Sequence, residues 1–276
     1  MSSSEFHKIA LDLGPDLFNG LFNSVDFEPV AKGRVGNHLV NVGDKGVPIV
    51  RTTTKYNIPA LNFSAIHHML VERINDNLAG IPVQRFNNAL VEVYDSGYYK
   101  MNYHSDHSLD LEDDSYIGLF SCYERPEELS AQHIRKLKIK DKGGEEEFEH
   151  SLTHNSVVLF SLAANTKFQH KIVLDAAPHP KKMGADNRWL GITFRTSKTF
   201  IRFDDNMPRF ANGKLLELAN SEQEKEFYKL RGEENRGVGF VYPELMYTVN
   251  AADMMMPENA PDLKSGFGVC QRTRQH

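Results

Sequence analysis

Apolar positions recur at helical spacing twice near the start of the chain. Leu17, Phe18, Leu21 and Phe22 form one apolar face, with Pro15 standing where a first helical turn would begin. Ile66, Met69, Leu70, Ile74 and Leu78 form a second, with Ser64 as its cap and Gly80-Ile81-Pro82 as its stop. Between them, Gly33, Gly36, Gly43 and Gly46 punctuate extended segments within 27–54. From Phe86 to about Phe203 the period shortens to that of strands. The candidates are Ala89–Tyr94, Tyr99–Asp106, Tyr116–Cys122, Lys136–Lys140, Glu146–His150, Val157–Leu162, His170–Leu174 and Trp189–Thr196. Eight short strands without interleaved helices predict a sandwich or jelly roll. The expected fold class is α+β, mainly β: N-terminal supporting helices in 1–85, a jelly-roll core over 86–203 and a C-terminal extension over 204–276.

Two details refine this outline. Lys138-Ile139-Lys140 and Glu147-Phe148-Glu149 flank Gly143-Gly144, which predicts a hairpin with opposite charges paired across its strands. In the extension, Ser221 and Glu224 have capping-box spacing ahead of a helix carrying Phe227 and Leu230. Phe240–Val249 reads as a further strand interrupted by Pro243, and Met254-Met255-Met256 as a packed contact or an adaptable surface.

Composition narrows the function classes. A chain of 276 residues, 40% hydrophobic and 25% charged, suits one large decorated globular domain or two modest ones. No window approaches the roughly 18 apolar residues of a membrane span. The first residues lack a basic and then apolar leader pattern, so no secretory signal is expected. Cys122 and Cys270 cannot make a disulfide framework, which favours a reducing intracellular setting, cytoplasmic or nuclear. A net charge of −5 disfavours a protein bound mainly to phosphate backbones and leaves a local basic patch open.

The candidate chemistry begins at His104-Ser105-Asp106. Residues i and i+2 of a strand share a face, so His104 and Asp106 aim at one point. His170 opens a later strand and is the natural third ligand of a two-histidine, one-carboxylate Fe(II) site with three positions left for a chelating co-substrate and O2. His-x-Asp alone is a common pattern, and a chance occurrence is its bland reading. Arg195 adds an argument from parity. Leu190, Ile192 and Phe194 form an apolar face, whereas Trp189, Gly191, Thr193, Arg195 and Ser197 lie on the other. A guanidinium on that second face can hold the carboxylate of a co-substrate, with Ser197 as an added hydroxyl donor; the alternative is a solvated surface arginine.

These residues resemble a known family. Phe86-Asn87, Leu90, Tyr94, Gly97, His104-x-Asp106, Ser156-Val157-Val158-Leu159-Phe160, Gln169-His170 and Gly191-Ile192-Thr193-Phe194-Arg195 look like the AlkB-like 2-oxoglutarate- and Fe(II)-dependent dioxygenases. The resemblance covers roughly 48–200, and Pro48–Tyr56 resembles the hairpin that forms part of that family's substrate lid. It implies a double-stranded β-helix in a dioxygenase domain over 1–203, with Fe(II), 2-oxoglutarate and O2 as cofactors. It implies that the co-substrate chelates iron through its keto-acid end and meets Arg195 with its far carboxylate, Tyr94 adding a hydroxyl and Asn102 reaching co-substrate or water. Decarboxylation to succinate then accompanies oxidation of a substrate C–H bond.

Three departures stand out. The family carries two arginines on one strand face, but Arg188 and Arg195 are seven positions apart and alternate in parity, and Trp189 holds the in-register position. Glu92 stands where the family has an asparagine, and Ser108 where repair members often have an acid. Arg188 is therefore a secondary candidate for co-substrate binding. The expected reaction is oxidative demethylation of N-alkylated nucleic acid. Hydroxylation of a small molecule or protein side chain is the alternative, better matched to the acidic charge. A non-catalytic metal-binding jelly roll is the third reading, opposed by the intact triad.

Other groups carry bland readings. His107, His150, His154 and His179 read as turn or surface histidines, and Asp110, Glu112, Asp113 and Asp114 as a solvated loop. Tyr98, Tyr99 and Tyr103 read as strand aromatics rather than stacking platforms, and Arg135, Lys136, Lys138, Lys140 and Lys142 as a solvated hairpin.

Overall fold

The computed structural model describes residues 5–14, 16–144, 146–175 and 187–261. Pro15, His179 and Cys270 lie outside the described residues.

The alternating segments form two facing sheets. The larger contains β1 (Phe6–Ala10), β2 (Glu28–Ala31), β3 (Arg34–Val40), β5 (Leu61–Asn62), β6 (Asn88–Tyr94), β7 (Tyr116–Tyr123), β10 (Ser156–Ser161) and β12 (Trp189–Arg195). Its order is β1-β10-β7-β12-β6-β3-β2, all antiparallel, with β5 added parallel to β3. The smaller pairs β8 (Lys136–Asp141) with β9 (Glu147–Ser151) and β11 (Phe168–Val173). Two minor sheets, β4 (Val47–Pro48) with β13 (Phe200–Asp204) and β14 (Met207–Phe210), and β15 (Glu217–Leu218) with β16 (Tyr247–Thr248), complete the strands. Mostly antiparallel strands in two layers, with few helices, make the jelly-roll class expected from the period-two pattern.

Parity decides which face of the large sheet packs where. Leu190, Ile192 and Phe194 of β12 pack with Val91 and Val93 of β6 in one core. Helices α1 (Leu17–Phe22) and α2 (Ala65–Asp76) cover that core with Leu17, Phe18, Leu21, Leu70 and Ile74. Trp189 faces the other way and joins Tyr94, Leu119, Leu137, Ile139 and Phe160 in a second core between the sheets. Burying each large side chain contributes about 1.5–3 kcal/mol, so the two cores fix the register that aims polar partners inward. The predicted hairpin charges face each other across the strands: Lys138 stands opposite Glu149, its Nζ 3.9 Å from the carboxylate, and Lys140 stands opposite Glu147.

Three local expectations fail for physical reasons. Tyr99–Asp106 forms no continuous strand and touches β11 only through bridges at Lys100 and His104. Its backbone groups go to side chains instead: the Asn102 carbonyl lies 3.0 Å from His104 Nδ1, Ser105 N–H donates to Asn235, and Asp106 N–H donates to Asn165. Within Phe240–Val249 only Tyr247–Thr248 is strand. Pro243 lacks a donor, and the carbonyls of Leu245 and Tyr247 accept from Arg51 Nη1. The helix of the extension, α4 (Ser221–Arg236), is capped one residue early. Asn220 Oδ1 accepts from the N–H groups of Glu222 and Gln223, and the Asn220 N–H donates to Gln223 Oε1 in return, an Asn being as strong a cap as Ser.

Candidate active site

His104 and His170 face each other across a two-way backbone bridge, with His104 N–H donating at 2.9 Å and His170 N–H at 2.7 Å. Their rings sit 4.7 Å apart. Asp106 follows on the same side, its Oδ1 3.5 Å from His170 Nε2. One nitrogen from each imidazole and one Asp106 oxygen lie within 4.8 Å of one another. His104 Nδ1–H donates to the Asn102 carbonyl at 3.0 Å, which leaves Nε2 as the free donor atom. Burial, with His170 alongside, pushes the His104 imidazole down to about 3, so it stays neutral and able to bind a cation. Burial opposes ionisation of Asp106, but Arg195 and the hydrogen-bonded His170 outweigh it and hold the carboxyl well below the usual range. Two imidazoles and one carboxylate fit a non-heme Fe(II) donor set.

Asp106 is held on every side. Asn165, on the short helix α3 (Leu162–Lys167), accepts from its N–H at 2.7 Å and donates to its carbonyl at 2.9 Å. Arg195 reaches Asp106 Oδ2 through Nε at 3.1 Å and Nη2 at 2.9 Å. Arg195 Nη1 is buried without a protein partner among the described residues. A buried orphan donor is costly unless something satisfies it, and here it sits beside the candidate metal ligands.

The site opens into a cavity of about 540 Å³ between the sheets. His104, Asp106, His170 and Arg195 line it together with Tyr94 and Asn102. The remaining candidates fall elsewhere. Ser197 lies past the end of β12, and its hydroxyl donates to the Ile49 carbonyl at 2.6 Å. Arg188 forms a forked pair with Glu124 at 3.0 and 2.6 Å and stacks over Phe18 and Phe22, on the helix side of the sheet. Neither lines the cavity, and opposite parity explains Arg188.

Several readings need correction. Asp110 is buried rather than solvated, and accepts from three groups of Arg51: the backbone N–H at 2.7 Å, Nε at 3.0 and 3.3 Å and Nη2 at 2.7 Å. Arg135 is buried, donating to the carbonyls of Tyr98 and Asp95. His107 lines the cavity and stacks on Phe227. Glu92, at the position where the family has an asparagine, accepts the Tyr94 hydroxyl at 2.6 Å and pairs with Arg34 of β3.

Sequence reasoning missed Arg34, Asn165 and the α4 residues Tyr228, Arg231 and Asn235, of which all but Asn165 line the cavity. Asn235 accepts the Ser105 N–H at 2.9 Å, and Arg231 donates to the Ser105 carbonyl. Glu234 accepts from Ser108 N–H at 2.8 Å and Oγ at 2.6 Å. The extension thus grips both ends of the segment that carries His104 and Asp106. These contacts link positions more than a hundred residues apart, for which a local pattern offers no signal.

No curated protein matches the chain. Among solved structures, that of OsALKBH1 aligns at 14% identity and a TM-score of 0.44, over 70% of this chain and 98% of its own. A Pseudomonas putida prolyl-4-hydroxylase aligns at 14% identity and a TM-score of 0.40, over 69% and 92%. The sequence model of the 2OG-Fe(II) oxygenase superfamily matches residues 35–195, more than half the chain and inclusive of all three candidate ligands and Arg195. The chain belongs to the 2OG-Fe(II) oxygenase superfamily, oxidoreductases that use Fe(II), 2-oxoglutarate and O2.

Proposed function

We propose that this oxygenase couples 2-oxoglutarate decarboxylation to oxidation of a C–H bond in a small organic substrate. His104, Asp106 and His170 would hold Fe(II), which supplies O2 activation when bound with the co-substrate. Arg195 fixes the orientation of Asp106, and Asn102 fixes the His104 ring.

One observation carries the substrate class. Thr52, Thr53 and Thr54 and the α4 residues Tyr228, Arg231 and Gly232 all line the cavity, and both elements are braced. Tyr228 donates to the Thr53 carbonyl, Lys55 pairs with Glu224 at 2.6 Å, and Arg51 ties the base of the loop to Asp110. A braced mouth of this kind suits a compact substrate. Two cations beside it are matched by carboxylates, Arg231 by Glu234 and Lys55 by Glu224, which offers little to a polynucleotide backbone.

A second reading, oxidative demethylation of an N-alkylated nucleic acid, draws on Tyr103. That cavity-lining ring is flanked by Lys171 Nζ at 4.0 Å and Lys140 Nζ at 4.5 Å, a pairing that suits a stacked base and its phosphate. Succinate release with a panel of metabolites, set against formaldehyde release from methylated oligonucleotides, divides the two. Turnover only with oligonucleotides would reject the small-molecule reading.

A further inference from the structure

The cavity needs a cation at the end away from the metal ligands, and the strand register identifies where that end lies. Arg195 pairs with Asn88 across β12 and β6, whereas Tyr94 pairs with Trp189 on one side and Arg34 on the other. Asn88 and Tyr94 are separated by roughly 20 Å of strand, so Arg195 and Arg34 enter the cavity from opposite ends of one sheet face. Between them Leu90, Leu119 and Thr193 line the wall, a surface suited to methylene groups.

The arginines of the cavity have different duties. Arg195 spends Nε and Nη2 on Asp106, and its unpaired Nη1 lies beside the candidate metal ligands, at the keto-acid end rather than the distal end. Arg231 spends its guanidinium on the Ser105 carbonyl and Glu234. Arg188 lies outside, and Trp189 occupies the inward position at that end of β12. Arg34 alone among these stands at the distal end. Its Nε donates to Glu92 Oε1 at 2.6 Å and its Nη2 pairs with the same oxygen, its Nη1 donates to Tyr98 Oη at 3.3 Å, and it stacks over the rings of Tyr98 and Tyr94, which leaves one further hydrogen on each Nη for a ligand. Glu92 is saturated by Arg34 on one oxygen and by the Tyr94 hydroxyl on the other. Tyr98 accepts from Arg34, which frees its own proton to be donated into the cavity.

We propose that Arg34, oriented by Glu92 and assisted by the Tyr98 hydroxyl, binds the distal carboxylate of 2-oxoglutarate, the duty that an arginine of β12 was expected to perform. Glu92 is then a positioning residue: it holds the guanidinium plane while Tyr94 blunts its charge. The assignment rests on His104, Asp106 and His170 as the iron site, since the keto-acid end must be anchored there.

The test titrates Mn(II)-loaded protein without O2 against 2-oxoglutarate and against 2-oxobutyrate, which lacks the distal carboxylate. Trp189, the only tryptophan of the chain and 4.8 Å from Tyr94, gives a fluorescence readout, with calorimetry as a check. Wild type is expected to prefer 2-oxoglutarate. Arg34→Gln should weaken 2-oxoglutarate binding roughly 10- to 100-fold, the effect of losing hydrogen bonds to a charged group, and leave 2-oxobutyrate binding unchanged. Tyr98→Phe, which keeps the ring, should weaken 2-oxoglutarate alone by a smaller factor and serves if Arg34→Gln fails to fold. Wild-type binding of both acids with equal affinity, or undiminished 2-oxoglutarate binding by folded Arg34→Gln, overturns the assignment. Failure of wild type to bind either acid overturns the assignment together with the metal site beneath it.

Discussion

Asp106 is held at its side chain by Arg195 and at its backbone by an amide side chain. Asn165 satisfies both its N–H and its carbonyl. Asn165→Ala would leave two buried backbone groups unpaired, at a cost of about 2–4 kcal/mol in a urea unfolding measurement. A loss under 0.5 kcal/mol, the scale of an ordinary surface substitution, would mean that water replaces the amide. A second residue sets a pH dependence. Burial pushes the Asp253 carboxyl up from 3.8 to about 7, with Asp110 adding to the rise. The folded chain therefore holds this proton more tightly than the unfolded one. The stability it contributes is present at low pH and is lost as pH rises through about 7. Asp253→Asn should accordingly gain on wild type between pH 5 and pH 8 in paired urea midpoints, and an equal difference at both would refute the shift.

Elements built on regular alternation were legible in advance, whereas those whose backbone serves side chains were not. The parity of Trp189–Arg195 was readable because Leu190, Ile192 and Phe194 must share an apolar face, and they do. The same reasoning failed for Tyr99–Asp106, where alternation is present but Asn102, Ser105 and Asp106 give their polar groups to His104, Asn235 and Asn165. The His104-x-Asp106 spacing still brought both side chains to one side, so the candidate ligand pair could be read through a wrong element. Arg34 could not, because its meaning depends on Glu92, 58 positions away. The loop after β4 makes the corresponding point for stability. Arg51 and Asp110 are both buried, and Arg51→Ala would strand a carboxylate, costing about 3–5 kcal/mol. Replacing both, as Arg51→Met with Asp110→Leu, should recover much of that loss in the same denaturation assay.

At the scale of the whole molecule, metal and fold are linked. The three candidate ligands come from an irregular segment and from β11, so a bound ion ties the edge of the small sheet to the loop that crosses it. Mn(II) at a hundredfold excess over its Kd should stabilise the chain by about 2.7 kcal/mol, read as a rise in Tm. His104→Ala should abolish that rise while leaving the apo Tm near that of wild type. Among the described residues no helix is long and apolar enough to cross a membrane.

The grip of α4 on Ser105 and Ser108 has a reciprocal side. If docking of that helix preorganises the ion site, thermodynamic linkage obliges the ion to tighten the docking by the same factor. The amide protons of Ser221–Arg236 should then exchange with deuterium more slowly once Mn(II) is added, although that helix supplies none of the candidate ligands.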